Sequence, residues 1–347
     1  MMTVPSDIQE ARAELVQLTQ LLLPFAIRGL ATLGVADVLA DGPAPVGKIA
    51  EAVGADPDAL YRTMRFTASH GVFAEGPEYT FGLTPRAEYL RGDVPGSMRG
   101  GLMMGAGTAT QLAVFGEIVH TLRTGESGYH KLNGVSPFQA MASDRPMAKR
   151  VGGQLQRSSQ RLSASVTEAV DFGADRVVAD ICGGTGTMIG TILARYPDLS
   201  GVLLDLPPVV EEASEVLADL GVAGRCRVVG GDMFTEVPAG ADTYLLSCVL
   251  HDWADDQAVA ILAQVRQAMP GTGRLLVVEA VIGAGGTPTA LALQADFSML
   301  VYGGGRERSR SEHAAVLERA GFTLVGITPT SSGFSVLQAR PEPGGPE

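Results

Sequence analysis

Residues 245–256 read LLSCVLHDWADD, with His251 one step past an apolar run and four acidic or aromatic residues close behind it. A histidine at the end of a strand, held at a sheet's edge, is suited to general-base work. Its reference pKa is near ~6.5 and that of a phenol near ~10, so it need not ionise a hydroxyl in advance. Taking the proton as a new bond forms to oxygen is enough. His251, Asp252, Asp255 and Asp256 could also be read as a metal cluster. Acids at the start of a helix, however, satisfy free N–H groups and the helix dipole, and no second histidine lies nearby, so no metal is expected. Asp252 is read as structural.

The second chemical stretch is RVVADICGGTGT, residues 176–187, an apolar run that empties into Gly183, Gly184 and Gly186. A dinucleotide loop requires G-x-G-x-x-G; here Ile189 stands at the third position and Gly190 comes one residue late. Asp180, at the end of the strand, repels a pyrophosphate and suits a cofactor that carries an ammonium. Nineteen residues after Gly186 the next strand ends in Asp205, placed to grip ribose hydroxyls. The third runs into GGDMF, where Asp232 can accept from an adenine amino group while Met233 and Phe234 sandwich the ring. Three acids at three successive strand ends point to an amino-acid-bearing nucleoside.

These residues need a sheet to align them, and the chain supplies one. From about residue 175, strands (RVVADI, GVLLDL, RCRVVGG, TYLLSCVL, RLLVVEAVI) alternate with helices, which predicts an α/β, Rossmann-like parallel sheet. FTLVGITPT and SGFSVLQAR then predict a C-terminal antiparallel hairpin. Residues 10–100 predict helix, turn, helix and two short strands, the outline of a winged helix. Between Pro43 and Gly92, five basic residues face six acids, and the whole chain carries a formal charge of -12, so nucleic acid is a poor partner. The apolar LLLPFAIRGLATLGVADVL contains Arg28 and Asp37 and reads as packed helices of a dimerising domain, not as a membrane span. Cys182, Cys226 and Cys248 are scattered in apolar stretches, as in a reduced, cytoplasmic protein. The expected organisation is a mainly helical, winged dimerisation domain over 1–100, a helical linker and substrate region over 101–172, the cofactor domain over 173–341 and a frayed tail over 342–347.

Taken with LLSCVLHDWADD, the acid series resembles the class I S-adenosylmethionine-dependent O-methyltransferases of the caffeic-acid type and their actinobacterial relatives, which methylate aromatic natural products. The resemblance runs from the winged domain to the final hairpin. It implies a homodimer and an S-adenosyl-L-methionine cofactor, with the family's DxGGGTG loop standing here as Asp180 to Gly186 and Cys182 replacing its first glycine. It assigns the ribose to Asp205 beside Leu206, adenine to Asp232 and Met233 with Trp253 nearby, and the methionine carboxylate to Ser159 and to Ser247, where the family often has a cation. It makes His251 the base, flanked by Glu279 and Glu307 as the other catalytic residues.

Glu279 ends a Val-Val strand, and a carboxylate there must be satisfied by something. Glu307, between Arg306 and Arg308, reads equally well as a solvated ion pair. Met103, Met104, Leu155, Met299 and Tyr302 are candidates for a flat acceptor slot, since methionine adapts to rings. Plant relatives place an asparagine near Tyr302, which argues against a phenylpropanoid acceptor. An NAD(P)-dependent oxidoreductase is opposed by the missing glycine and Asp180; a winged regulator is opposed by charge. A decarboxylase- or hydroxylase-like enzyme of the same fold is opposed by His251 and Glu279.

Overall fold

The computed structural model describes residues 6–144, 159–283 and 289–342. The chain divides into two compact units, residues 1–112 and 113–347.

In the first unit, the helix Val46–Val53 ends at Gly54, and Asp56 opens the next helix, Pro57–Ser69, by accepting from the Ala59 amide at 2.8 Å. Strands β1 (Ala44–Pro45), β2 (Phe73–Glu75) and β3 (Thr80–Leu83) form a small antiparallel sheet in the order β1-β3-β2. This winged arrangement closes over Leu30, Ile49, Leu60, Met64, Phe73 and Phe81. Residues 101–104 belong to this unit, because Arg28 Nη1 donates to Leu102 O at 3.3 Å and Met104 N to Thr32 Oγ1 at 2.7 Å. The helices Ser6–Leu18 and Leu22–Leu33 leave Leu18, Leu21, Leu22 and Phe25 exposed. By length and hydropathy the stretch Gln9–Leu33 is apolar enough to cross a membrane. The chain leaves helical form at residues 19–21, and Arg28 interrupts the stretch.

The second unit is built on a seven-stranded sheet. Its strands are β4 (Val177–Ile181), β5 (Ser200–Asp205), β6 (Cys226–Gly230), β7 (Thr243–Ser247), β8 (Arg274–Glu279), β11 (Phe322–Pro329) and β12 (Ser335–Pro341). Two-residue strands β9 (Val281–Ile282) and β10 (Arg308–Ser309) pair apart from it. The order is β11-β12-β8-β7-β4-β5-β6, with β4 to β8 parallel and β12 antiparallel to both neighbours, Ser335 lying opposite Glu279. Both the parallel sheet and the closing hairpin agree with the sequence.

Side-chain alternation divides the core into two layers. Ala179, Ile181, Leu204, Leu246 and Val277 pack with Ile261, Leu262, Val316 and Leu317 on one face. Val178, Leu203, Leu245 and Leu276 pack with Ile189, Ile192, Leu193 and Leu217 on the other. From β4 the chain steps outward to β5 and β6, then returns to β7 on β4's other side. That reversal opens a crevice at the carboxyl ends of β4 and β7. Cys182 and Cys248, the residues just past these two ends, both adopt left-handed backbone, with φ of 55° and 56°.

Candidate active site

The glycine loop follows β4 and leads into the helix Thr187–Arg195. A Cβ on Gly183 would stand 2.5 Å from Asp180 Cγ and from Leu203 Cδ1, so only glycine lets the loop lie this close to the sheet. Asp180 is completely buried beneath that loop, and among the described residues neither carboxylate oxygen has a hydrogen-bond partner. Burial, tempered by the nearby Ile189 amide and reinforced by Asp205, pushes it up to about 7. Asp180 therefore lies at the floor of the loop, not in the open crevice.

Asp205 ties the end of β5 to the loop, its Oδ2 accepting from the Gly184 amide at 2.8 Å and its Oδ1 from the Leu206 amide at 2.7 Å. Burial raises its pKa in spite of these two donors. After β6, Asp232 Oδ1 accepts from the Phe234 amide at 2.9 Å, and the Met233 Sδ receives the Cys182 thiol at 3.0 Å. Trp253 meets Phe234 edge-on, with ring centroids 4.9 Å apart, and stacks on Phe138 at 5.2 Å. Asp205, Asp232, Met233 and Trp253 thus cluster along the β5, β6 and β7 ends together with Phe138, which carried no local sequence signal. Ser247, the last residue of β7, is half-buried. Ser159 is the first described residue of a helix that runs to residue 169, its carbonyl accepting from Ser163 Oγ at 2.6 Å. Leu155 lies outside the described residues.

His251 sits in a one-turn 3₁₀ segment, Leu250–Asp252, directly after β7. Its Nδ1 stands 2.9 Å from Glu307 Oε1 and 3.3 Å from Glu279 Oε2, while Nε2 is 3.7 Å from Asp252 Oδ1. Glu279 is fully buried and Glu307 only 2% exposed. Burial works against a charged imidazole, but Glu279, the Glu307 hydrogen bond and Asp252 outweigh it and raise His251 to about 10. Burial lifts Glu279 to about 7 and Asp252 to about 6 against the attraction of His251. The cluster thus holds more protons at neutral pH than its side chains would in water.

The structure corrects the solvated reading of Glu307. Arg308 turns away to the carbonyls of Leu250 and Trp253 and to Asp255, and Arg306 pairs with Glu312. Glu307 instead faces His251. Asp255 and Asp256, considered above as metal ligands, pair with Arg308 and Arg319 at 2.8 and 2.6 Å. His251, Glu279 and Glu307 bring ligand atoms within 4.8 Å of one another, with His251 Nδ1 hydrogen-bonded to Glu307 Oε1.

Tyr302 packs against Tyr129, centroids 5.3 Å apart, beside Val114 and Val301. Met299, on the same helix, is half-buried. Met103 and Met104 lie in the first unit and are 43% and 39% exposed.

Comparison with known proteins gives a consistent result. Residues 115–323 match the O-methyltransferase domain family and residues 16–92 the O-methyltransferase dimerisation domain. The chain is 39% identical over 312 residues to a phenazine O-methyltransferase of Lysobacter antibioticus, covering 90% of each chain. It is 36% identical to a mitomycin biosynthesis 6-O-methyltransferase of Streptomyces lavendulae, covering 89% of this chain and 88% of that one. Among solved structures, it superposes with a TM-score of 0.83 on an O-methyltransferase from neocarzinostatin biosynthesis in complex with S-adenosylmethionine and 2-hydroxy-5-methyl naphthoic acid, at 34% identity over 94% of this chain and 98% of that one.

Proposed function

We propose that this chain, which belongs to the S-adenosylmethionine-dependent O-methyltransferase family, methylates a hydroxyl of an aromatic small molecule of the natural-product kind, with His251 taking the proton. One observation carries the assignment of the base: an imidazole at the carboxyl edge of β7, its Nδ1 2.9 Å from a carboxylate withdrawn from water.

The residues at the crevice suit the cofactor. The loop that Gly183 permits and Asp205 fastens gives it a close-fitting bed, while the buried Asp180 biases the floor toward a cation. Asp205 beside Leu206 would take the ribose hydroxyls and Asp232 the adenine amino group. Met233, Phe234 and Trp253 would flank the ring, and Ser159 and Ser247 would meet the carboxylate. When bound, S-adenosylmethionine supplies a methyl group on a positively charged sulfur. Met299 and Tyr302 would line the acceptor's ring.

His251 would donate its Nδ1–H to Glu307, so that once the charged ring has released its other proton the Nε2 lone pair is free for the acceptor's hydroxyl proton. With its proton affinity raised to about 10, close to the ~10 of a phenol, the transfer between them is nearly balanced. Glu307 then stabilises the imidazolium that forms. The exposed apolar face of Leu18, Leu21, Leu22 and Phe25 lies within or beside the matched dimerisation region and suits a homodimer, with the three free cysteines fitting a cytoplasmic setting.

The test is incubation with methyl-labelled S-adenosylmethionine and a panel of hydroxynaphthoates, hydroxyphenazines, anthraquinones and polyphenols, read by mass spectrometry. The expected product carries one labelled methyl on oxygen. A product that has gained oxygen or lost carbon dioxide would replace this reading with another chemistry on the same fold.

A further inference from the structure

The turn that carries His251 is gripped from two sides by opposite charges. On its amide side, Glu279 Oε1 accepts from the N–H groups of Val249, Leu250 and His251 at 3.2, 2.9 and 3.3 Å. On its carbonyl side, Arg308 donates from Nη1 to Leu250 O and from Nη2 to Trp253 O, both at 2.8 Å. The same guanidinium reaches Asp255 Oδ1 from Nε at 3.0 Å and from Nη2 at 2.8 Å. The Arg306 amide takes a further carbonyl of the turn, His251 O, at 2.7 Å. A single 3₁₀ turn has few bonds of its own, so its orientation is set by whatever holds its ends.

We propose that Arg308 is a positioning residue for the reaction: its fork fixes the carbonyls on both sides of His251 and so aims the imidazole, without touching the reacting atoms. This rests on the reading of His251 as the base. The side chain of Arg308 is fully buried, and taking a cation out of water is costly unless it is paired and hydrogen-bonded throughout. A site that needed only filling would be served as well by an apolar residue. A planar fork can hold two carbonyls and a carboxylate at once, which a lysine ammonium cannot. Because Trp253 O is one of the two carbonyls, the clamp also fixes the distance along the chain between the base and the aromatic wall.

Arg308→Lys keeps the charge opposite Asp255 and loses the fork, so it separates positioning from bulk stability. The full chain is followed by thermal unfolding, by calorimetry with S-adenosylhomocysteine, by NMR of nitrogen-labelled histidine, and by kcat and KM with the acceptor identified in the panel above. Well below the unfolding midpoint, kcat should fall roughly 10- to 100-fold with acceptor KM within about threefold. The His251 Nδ1–H resonance should move upfield, and the substitution should cost little more in a His251→Ala background. A folded Arg308→Lys protein with unchanged kcat and resonance would overturn the proposal, as would an equal fractional loss in both backgrounds. If Arg308→Lys does not fold, Asp255→Asn loosens the same fork and is read in the same way. Failure of the base reading looks different: His251→Ala then keeps its activity, while the imidazole resonance still reports whether Arg308 sets the ring.

Discussion

Glu307 Oε1 lies 2.9 Å from His251 Nδ1, whereas Glu279 spends one of its oxygens on three backbone amides of the turn that carries the histidine. The two glutamates therefore do different work. On the proposed reading Glu307 fixes the tautomer and balances the imidazolium, while Glu279 holds the turn. Glu307→Gln should lower kcat by roughly 10- to 100-fold or more, as loss of an orienting carboxylate does in related triads. Glu279→Gln keeps an acceptor for the amides and should cost less. Glu279→Ala strands those amides in a dry site and should destabilise the unit by about 1–3 kcal/mol for each left unpaired. Steady-state kinetics and thermal unfolding on the three variants check the order; equal losses for the two Gln variants would contradict it.

The pH dependence has a defined sign. His251 titrates at about 10 in the folded chain against ~6.5 unfolded, so its contribution to stability is complete below ~6.5 and lost as pH rises through 10. Between pH 7 and 10 the unfolding temperature should fall, and His251→Gln should flatten that limb. Activity runs the other way: with His251 charged at neutral pH, one proton must leave before the hydroxyl can use Nε2, so kcat/KM should climb through neutrality into the alkaline range. A kcat/KM profile that declines from pH 7 upward would contradict the proton inventory.

A Cβ on Gly305 would meet His251 O at 2.0 Å and the Asp252 carbonyl carbon at 2.6 Å, both backbone atoms that cannot swing aside. Gly305→Ala should therefore displace the histidine turn, lowering stability by roughly 1–3 kcal/mol and kcat well below wild type. Calorimetric unfolding and kinetics that match the wild type would show that the turn tolerates the added atom.

Asp205 ties the end of β5 to the glycine loop, so on the proposed reading Asp205→Ala removes both a cofactor acceptor and a loop fastening. S-adenosylhomocysteine affinity measured by calorimetry should drop by roughly tenfold to a hundredfold, the range for a charged hydrogen bond. Unchanged affinity would remove the ribose assignment.

Much of this arrangement was legible in the chain because β strands buried on both faces read as continuous apolar runs. VVADI, VLLD and YLLS each announce a strand, and the polar Asp205 and Ser247 mark where the second and the third of these end. His251 and Asp205 stand out for that reason. The clamp was not legible. Arg308 sits next to Glu307 in sequence, and adjacency suggests an ion pair, whereas Arg308 goes to Leu250 O, Trp253 O and Asp255 while Glu307 goes to His251. Phe138 reaches Trp253 across more than a hundred residues, a separation at which local pattern says nothing.

The central claim is that His251 removes the acceptor's proton, and the most direct measurement is the turnover of His251→Ala on an unactivated phenol across a pH range. S-adenosylhomocysteine affinity should stay within about threefold of wild type and kcat should fall by roughly 10²–10⁴-fold, the usual loss of a general base, with the alkaline rise of the profile removed. Full activity of His251→Ala on such a phenol, with an unaltered pH profile, would mean that alignment alone drives the transfer and would contradict the role assigned to His251.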